Sequence, residues 1–140
     1  MASTVVGSVR ITTERSIQVK DVTGSIHQWL RDNDAEEGIL TISSSHTTAG
    51  LTINEAESGL MSDIENHLEK LVPRNQGYEH DRVDNNAHGH IMTLLIGSTE
   101  SVPVKSGKLV LGTWQRVLFV ECDGPRSRFI SLAFVGSKKS

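Results

Sequence analysis

A chain of 140 residues with a net charge of −3 is sized for one domain with a core of its own. Its 14 basic and 17 acidic residues are too evenly balanced for a nucleic-acid binder or an acidic tail. No apolar run approaches the ~20 residues of a membrane helix, and a lone cysteine, Cys122, excludes an internal disulfide framework.

The N-terminal Met-Ala-Ser-Thr-Val-Val has no basic region followed by an apolar stretch, so a cytoplasmic location is expected. No repeat or linker divides the chain, which reads as one domain over 1–140. Residues 7–20 carry β-branched residues at short intervals and predict one or two strands. Asp21 or Thr23 then caps a helix with apolar positions Val22, Ile26, Trp29 and Leu30. A further strand covers 38–45. The string 46–55 is small and polar, and reads as a loop leading to a helix. That helix has Leu60, Met61, Ile64, Leu68, Leu71 and Val72 at helical spacing and ends at Pro73. Residues 73–86 form a long loop, and Asn85 or Asn86 caps a short helix that stops at Gly97. Two hairpins complete the chain, one around Ser106-Gly107 and one around Asp123-Gly124-Pro125. Strands at both ends with helices between them favour an α+β class: a compact single domain with mixed or antiparallel sheet layers and two to three helices.

Histidine, with six residues, is as frequent as Phe, Trp and Tyr together. His27 and His67 sit on predicted helices and read as solvated or partly packed. His46, His80, His88 and His90 lie at element edges or in the long loop, among small polar and acidic residues. Neutral imidazole is the commonest ligand for a divalent metal, and two or three converging with an open position make a Lewis-acid site. On a helix His88 and His90 point about 200° apart. His90 is the preferred ligand, because Ile91 and Leu94 carry the segment into the core, and His88 is then a rim residue. Unrelated surface or capping histidines are an equal alternative from spacing alone.

Thr47 and Thr48 sit in a hydroxyl-rich segment able to offer donors to an anion, with a plain capping turn as the competing explanation. Glu55 is a candidate general base, although a carboxylate that opens a helix has a dipole explanation as well. Arg126 has the fork that suits phosphate. Trp114 reads as a core anchor, while Gln115 stays open as a ligand reader. Cys122, flanked by acids, does not suit a thiolate nucleophile.

Six segments occur in this order: 46–55 (His-Thr-Thr-Ala-Gly-Leu-Thr-Ile-Asn-Glu), 71–73, 78–81, 87–90 (Ala-His-Gly-His), 112–115 (Gly-Thr-Trp-Gln) and 121–126 (Glu-Cys-Asp-Gly-Pro-Arg). Together they resemble the YjbQ-like family of small proteins associated with secondary thiamine-phosphate synthase activity. The resemblance runs from the first strand to Gly136. It implies a homotrimer of α+β subunits with a polar pocket where subunits meet. It also implies functional positions at His46, Asn54, Glu55, His80, His90, Gln115, Glu121 and Arg126. The implied reaction joins a pyrimidine methyl diphosphate to a thiazole phosphate with loss of pyrophosphate.

The expectation is therefore an enzyme acting on a small phosphorylated metabolite. His46, His80 and His90 hold a divalent metal, zinc in the first place and magnesium otherwise. Glu55 and Glu121 serve as acid/base groups, and Thr47, Thr48, Asn54, Gln115 and Arg126 bind substrate. The alternative is a non-catalytic trimeric sensor or scaffold for a metabolite or metal. Neither reading involves nucleic acid or membrane.

Overall fold

The computed structural model describes residues 2–140. In chain order it contains β1 (Ser3–Thr12), β2 (Gln18–Asp21), α1 (Thr23–Asp32), β3 (Ala35–Ser44), β4 (Ala49–Asn54), α2 (Ser58–Leu71), a 3-10 turn (Glu79–Arg82), α3 (Ala87–Ile96), β5 (Thr99–Lys105), β6 (Lys108–Leu109), β7 (Arg116–Glu121) and β8 (Ser127–Lys138). The strands form two sheets, β1-β8-β3-β5-β6 and β2-β7-β4, with every pairing antiparallel. The α+β class expected from the chain order is what the fold shows. Among the described residues no helix is long and apolar enough to cross a membrane.

The small sheet is the middle layer. Along β7, Val117 and Phe119 face a core shared with the large sheet and α1, where Ile26, Leu30, Leu40, Ile42, Ile130 and Phe134 are fully buried. The alternate residues Leu118 and Val120 face a second core, closed by Val72, Met92 and the inner side of α2. Period-two alternation sends neighbours to opposite faces, so a strand apolar at every position belongs between two cores.

Local signals hold where they were strong. Asp21 Oδ1 accepts from the Thr23 N–H at 3.0 Å at the start of α1, one residue ahead of the N-cap position at Val22. Pro73 follows the end of α2, and Glu57 accepts from the Gly59 and Leu60 N–H groups at its start. The β5–β6 turn holds Ser106 and Gly107 at φ 51° and 76°, the left-handed pair such a hairpin needs.

Four expectations change. The string 46–55 is not all loop: Ala49–Asn54 is β4, paired with β7. The Asp123-Gly124-Pro125 turn does not join a hairpin, because β7 belongs to the small sheet and β8 inserts between β1 and β3. Trp114 is no core anchor; at 71% exposed it stands out from the segment before β7. Asn86 occupies the N-cap position of α3, but its side chain is used elsewhere and Asp81 Oδ1 accepts from the Ala87 N–H at 3.0 Å.

Among the described residues nothing covers the outer face of the large sheet. It carries exposed Val6, Ile39, Phe129 and Val135 around the hydroxyl pairs Ser43–Thr99 and Thr41–Ser101.

Candidate functional site

Where β3 ends, the chain turns through His46 towards β4 and passes the start of α3. An open hollow of about 480 Å³ lies here, lined by His46, Thr47, His90, Leu94 and Ser98 among others. His90 meets His80 edge to face, with ring centroids 4.7 Å apart. Three of the histidines singled out in the sequence thus gather around one end of β4. Gly89, beside them, has its Cα so close to the end of β7 that a Cβ would lie 2.7 Å from the Cys122 carbonyl.

Each ring has a defined setting. His46 Nε2 lies 3.0 Å from the Phe129 N and 3.1 Å from the Phe129 O. A neutral ring accepts from the N–H there, whereas a protonated ring would donate to the carbonyl. Burial and the nearby Arg128 guanidinium hold His46 below its ordinary value, which favours the neutral ring a metal needs. His80 Nε2 lies 3.1 Å from Asn86 Oδ1, and Asn86 Nδ2 donates to Asp123 Oδ2 at 2.9 Å. Among the described residues, however, no three His, Cys, Asp or Glu side chains converge tightly enough to hold a metal ion. The donor chemistry suits a metal, but one chain does not close a ligand set around it.

His88 reverses the rim expectation. It is 2% exposed, and its Nε2 has no hydrogen-bond partner among the described residues. The helical phase that turns His90 to the hollow turns His88 to the interior.

Glu121 is fully buried and its carboxylate is saturated. Arg128 grips both oxygens, through Nε at 2.9 Å to Oε1 and through Nη2 to Oε2. The Thr13 hydroxyl donates to Oε1 at 2.7 Å and the Asp123 N–H to Oε2 at 3.0 Å. Burial pushes this carboxyl up, but the Arg128, Thr13 and Asp123 donors together hold it below the usual range. With no free lone pair facing a hollow, its place is in a clamp between the sheets. Thr48 belongs to the same clamp: its hydroxyl accepts from Arg128 Nη2 at 2.9 Å. Arg128, at the other end of the clamp, escaped the sequence reading because nothing local marks a strand arginine as buried.

The remaining candidates lie elsewhere. Asn54 Oδ1 accepts from the Glu55 N–H, and Gln115 Oε1 from the Gly112 N–H, both at 2.8 Å. Asn54 pairs with Arg116 in register, whereas Ala49 pairs with Glu121. Glu55 and Trp114 line a hollow of about 330 Å³ with Asp21, Glu57 and Arg116. That places Asn54, Glu55 and Gln115 at the opposite end of β4 from the histidines. The five residue steps from Ala49 to Asn54, at ~3.3 Å each, put roughly 17 Å between the two groups. Arg126 folds back onto Asp123, donating from Nε to its carbonyl at 2.8 Å and from Nη2 to Oδ2 at 2.9 Å. Burial pushes the Cys122 thiol up to about 12, so it is no nucleophile at neutral pH.

Stability should respond to acid through the depressed imidazoles. Burial lowers His27 and His88, and His27 Nε2 accepts from the Leu109 N–H at 3.2 Å, a bond that protonation breaks. The unfolded chain takes up these protons near pH 6.5 and the folded chain only below it. The contribution is therefore complete above about pH 6.5 and is lost as pH falls. In chelator-treated protein the urea midpoint should stay flat from pH 8 to about 7 and drop towards pH 5; an unchanged midpoint at pH 5 contradicts this.

A family model described as UPF0047 protein YjbQ-like matches residues 7–137. A UPF0047 protein of Archaeoglobus fulgidus is 46% identical over 118 residues, covering 84% of this chain and 91% of the relative. The UPF0047 protein YugU of Bacillus subtilis is 31% identical over 133 residues, covering 92% and 98%. A crystal structure of a hypothetical protein from Aeropyrum pernix superposes with a TM-score of 0.91 at 44% identity, covering 95% of this chain and 99% of that one. A protein of unknown function from Sulfolobus solfataricus gives 0.92 at 33% identity, covering 98% and 100%.

Proposed function

The chain belongs to the UPF0047 YjbQ-like family, and from that premise we propose a metal-dependent enzyme for a small phosphorylated metabolite, its site completed between copies of the chain. One observation carries this reading: the histidines and the Asn54-Glu55-Gln115 group sit at opposite ends of β4. A single pocket that uses both sets needs the histidine end of one copy against the carboxylate end of another. Repeated head to tail, such a contact closes into a ring when the rotation between copies allows it. A homotrimer is such a ring. The exposed Leu94 and Leu95 beside the hollow and the uncovered outer sheet face supply apolar surface for the contact.

In this reading His46, His80 and His90 supply the imidazoles, His46 through Nδ1 because Nε2 already serves the Phe129 backbone. Zinc suits that donor set better than magnesium, which prefers oxygen. A cation held there would offset the charge that builds on a departing phosphate or pyrophosphate. Glu55 is the acid/base group, since its carboxylate lines an open hollow, while Glu121 is committed to Arg128. Thr47 binds substrate within the histidine hollow, and Asn54 and Gln115 bind it from the other end. Arg126 can reach an anion only by leaving Asp123. Thiamine-phosphate formation, implied by the resemblance, is the specific reaction to try first. A non-catalytic metabolite or metal sensor is the alternative.

The experiment joins three readouts on purified protein: metal content before and after chelation, native mass, and turnover of the two thiamine precursors. His46→Ala and His90→Ala should each lower bound metal from about one per subunit to near zero. Glu55→Gln should keep metal and lose turnover by at least ~100-fold. Subunits of His90→Ala and Glu55→Gln, mixed and reassembled, should regain part of the activity because intact ends meet at some interfaces. Retained metal in both histidine variants removes the metal site. A monomeric mass, or no recovery on mixing, removes the shared pocket. Metal binding without turnover favours the sensor.

A further inference from the structure

A separate cavity of about 180 Å³ lies between the C-terminal end of α2, the segment joining β1 to β2, and α3. It has room for about six waters and is well below the size of a drug-like site. Ile17, Val72 and Met92, all buried, form its apolar wall. His88 forms part of the same wall, 2% exposed and with Nε2 unpartnered. Buried polar groups nearly always find partners, so an orphaned imidazole beside an open cavity points to a ligand that supplies one. At the mouth stand Glu69 and Arg74, one anion and one cation. Neither side chain is in an ion pair among the described residues.

We propose that this cavity binds a small zwitterion, an α-amino acid with a branched apolar side chain. Its carboxylate pairs with the Arg74 fork, its ammonium with Glu69, and its side chain packs on Ile17, Val72 and Met92. The His88 imidazole completes the ligand's polar end. Glu69, with Asp81 and Asp123 also near His88, disfavours a dianion such as phosphate, so this pocket does not duplicate the anion chemistry proposed for the histidine hollow.

The test is a titration of the full chain with L-valine, followed through the His88 ring-nitrogen resonances. Parallel titrations use isovalerate, which lacks the ammonium, isobutylamine, which lacks the carboxylate, and inorganic phosphate. Valine should give a saturable shift and the other three much weaker binding. Arg74→Gln and Glu69→Gln, both at exposed positions, should each weaken valine by about tenfold, which is ~1.4 kcal/mol. His88→Leu should keep the fold and lose binding. The proposal is overturned by isovalerate or isobutylamine binding as tightly as valine, by phosphate binding in preference, by valine producing no saturable shift, or by the Arg74 variant binding unchanged.

Discussion

Arg128→Met should destabilise the chain by about 3–5 kcal/mol, the usual cost of leaving one member of a buried ion pair alone. Glu121 is fully buried, and both of its oxygens lean on that guanidinium. Without Arg128 its charge keeps only the Thr13 hydroxyl and the Asp123 N–H. The loss is a large part of the 5–15 kcal/mol that holds a typical domain together. The double variant Glu121→Leu/Arg128→Met should recover most of it, because a well-packed apolar pair avoids the desolvation that the ion pair must offset. Urea unfolding followed by circular dichroism measures all three proteins. A single-variant loss under about 1 kcal/mol means that water reaches the pair and that the clamp between the sheets is not closed. The same result bears on function: Glu121 stays out of the acid/base role only while it is committed to Arg128.

Phe119→Ala comes next, with an expected cost of about 3–5 kcal/mol for a fully buried aromatic cut back to a methyl group. Its neighbour Leu118, facing the other core, should cost about 2–5 kcal/mol on the same truncation. Val6→Ala, on the uncovered sheet face, should stay within about 0.5 kcal/mol in a monomer. This contrast tests whether β7 is sandwiched between two cores. If Phe119→Ala were as mild as Val6→Ala, the layer order would be wrong. If Val6→Ala instead weakened assembly in proportion to protein concentration, the outer sheet face would join the subunit contact proposed above.

Both predictions turn on residues whose surroundings are non-local, and that is where sequence reading and structure part. Periodicity, Pro73 and the Ser106-Gly107 pair were enough for α2 and the β5–β6 hairpin, because caps and turns act within four or five residues. The ordered strings around His46, His90, Gln115 and Arg126 were enough for the family. Asp123-Gly124-Pro125 marked a real turn, but turn chemistry does not say which strands it separates, and here they enter different sheets. The apolar run of β7 signalled burial on both faces without naming either neighbour.

Side-chain fate was less legible still. His88 and His90 are two residues apart on a helix whose exposed and buried positions are both largely apolar, so its phase could not be read from pattern. Only the docking of α3, with Gly89 close against the Cys122 carbonyl and Met92 in the second core, turned His88 inward. Trp114, an obvious core candidate by type, precedes β7 and stands in solvent. Composition and short-range pattern determined the class, the family, most of the elements and the set of polar residues worth weighing, since each depends on contacts a few bonds away. Which carboxylate is clamped was decided only by the place of β8 between β1 and β3, and which histidine is buried only by the docking of α3. The β8 arrangement places Arg128 against Glu121, across a turn that leads from one sheet to the other, and the Phe129 backbone against His46, 83 residues away; no local rule specifies either contact.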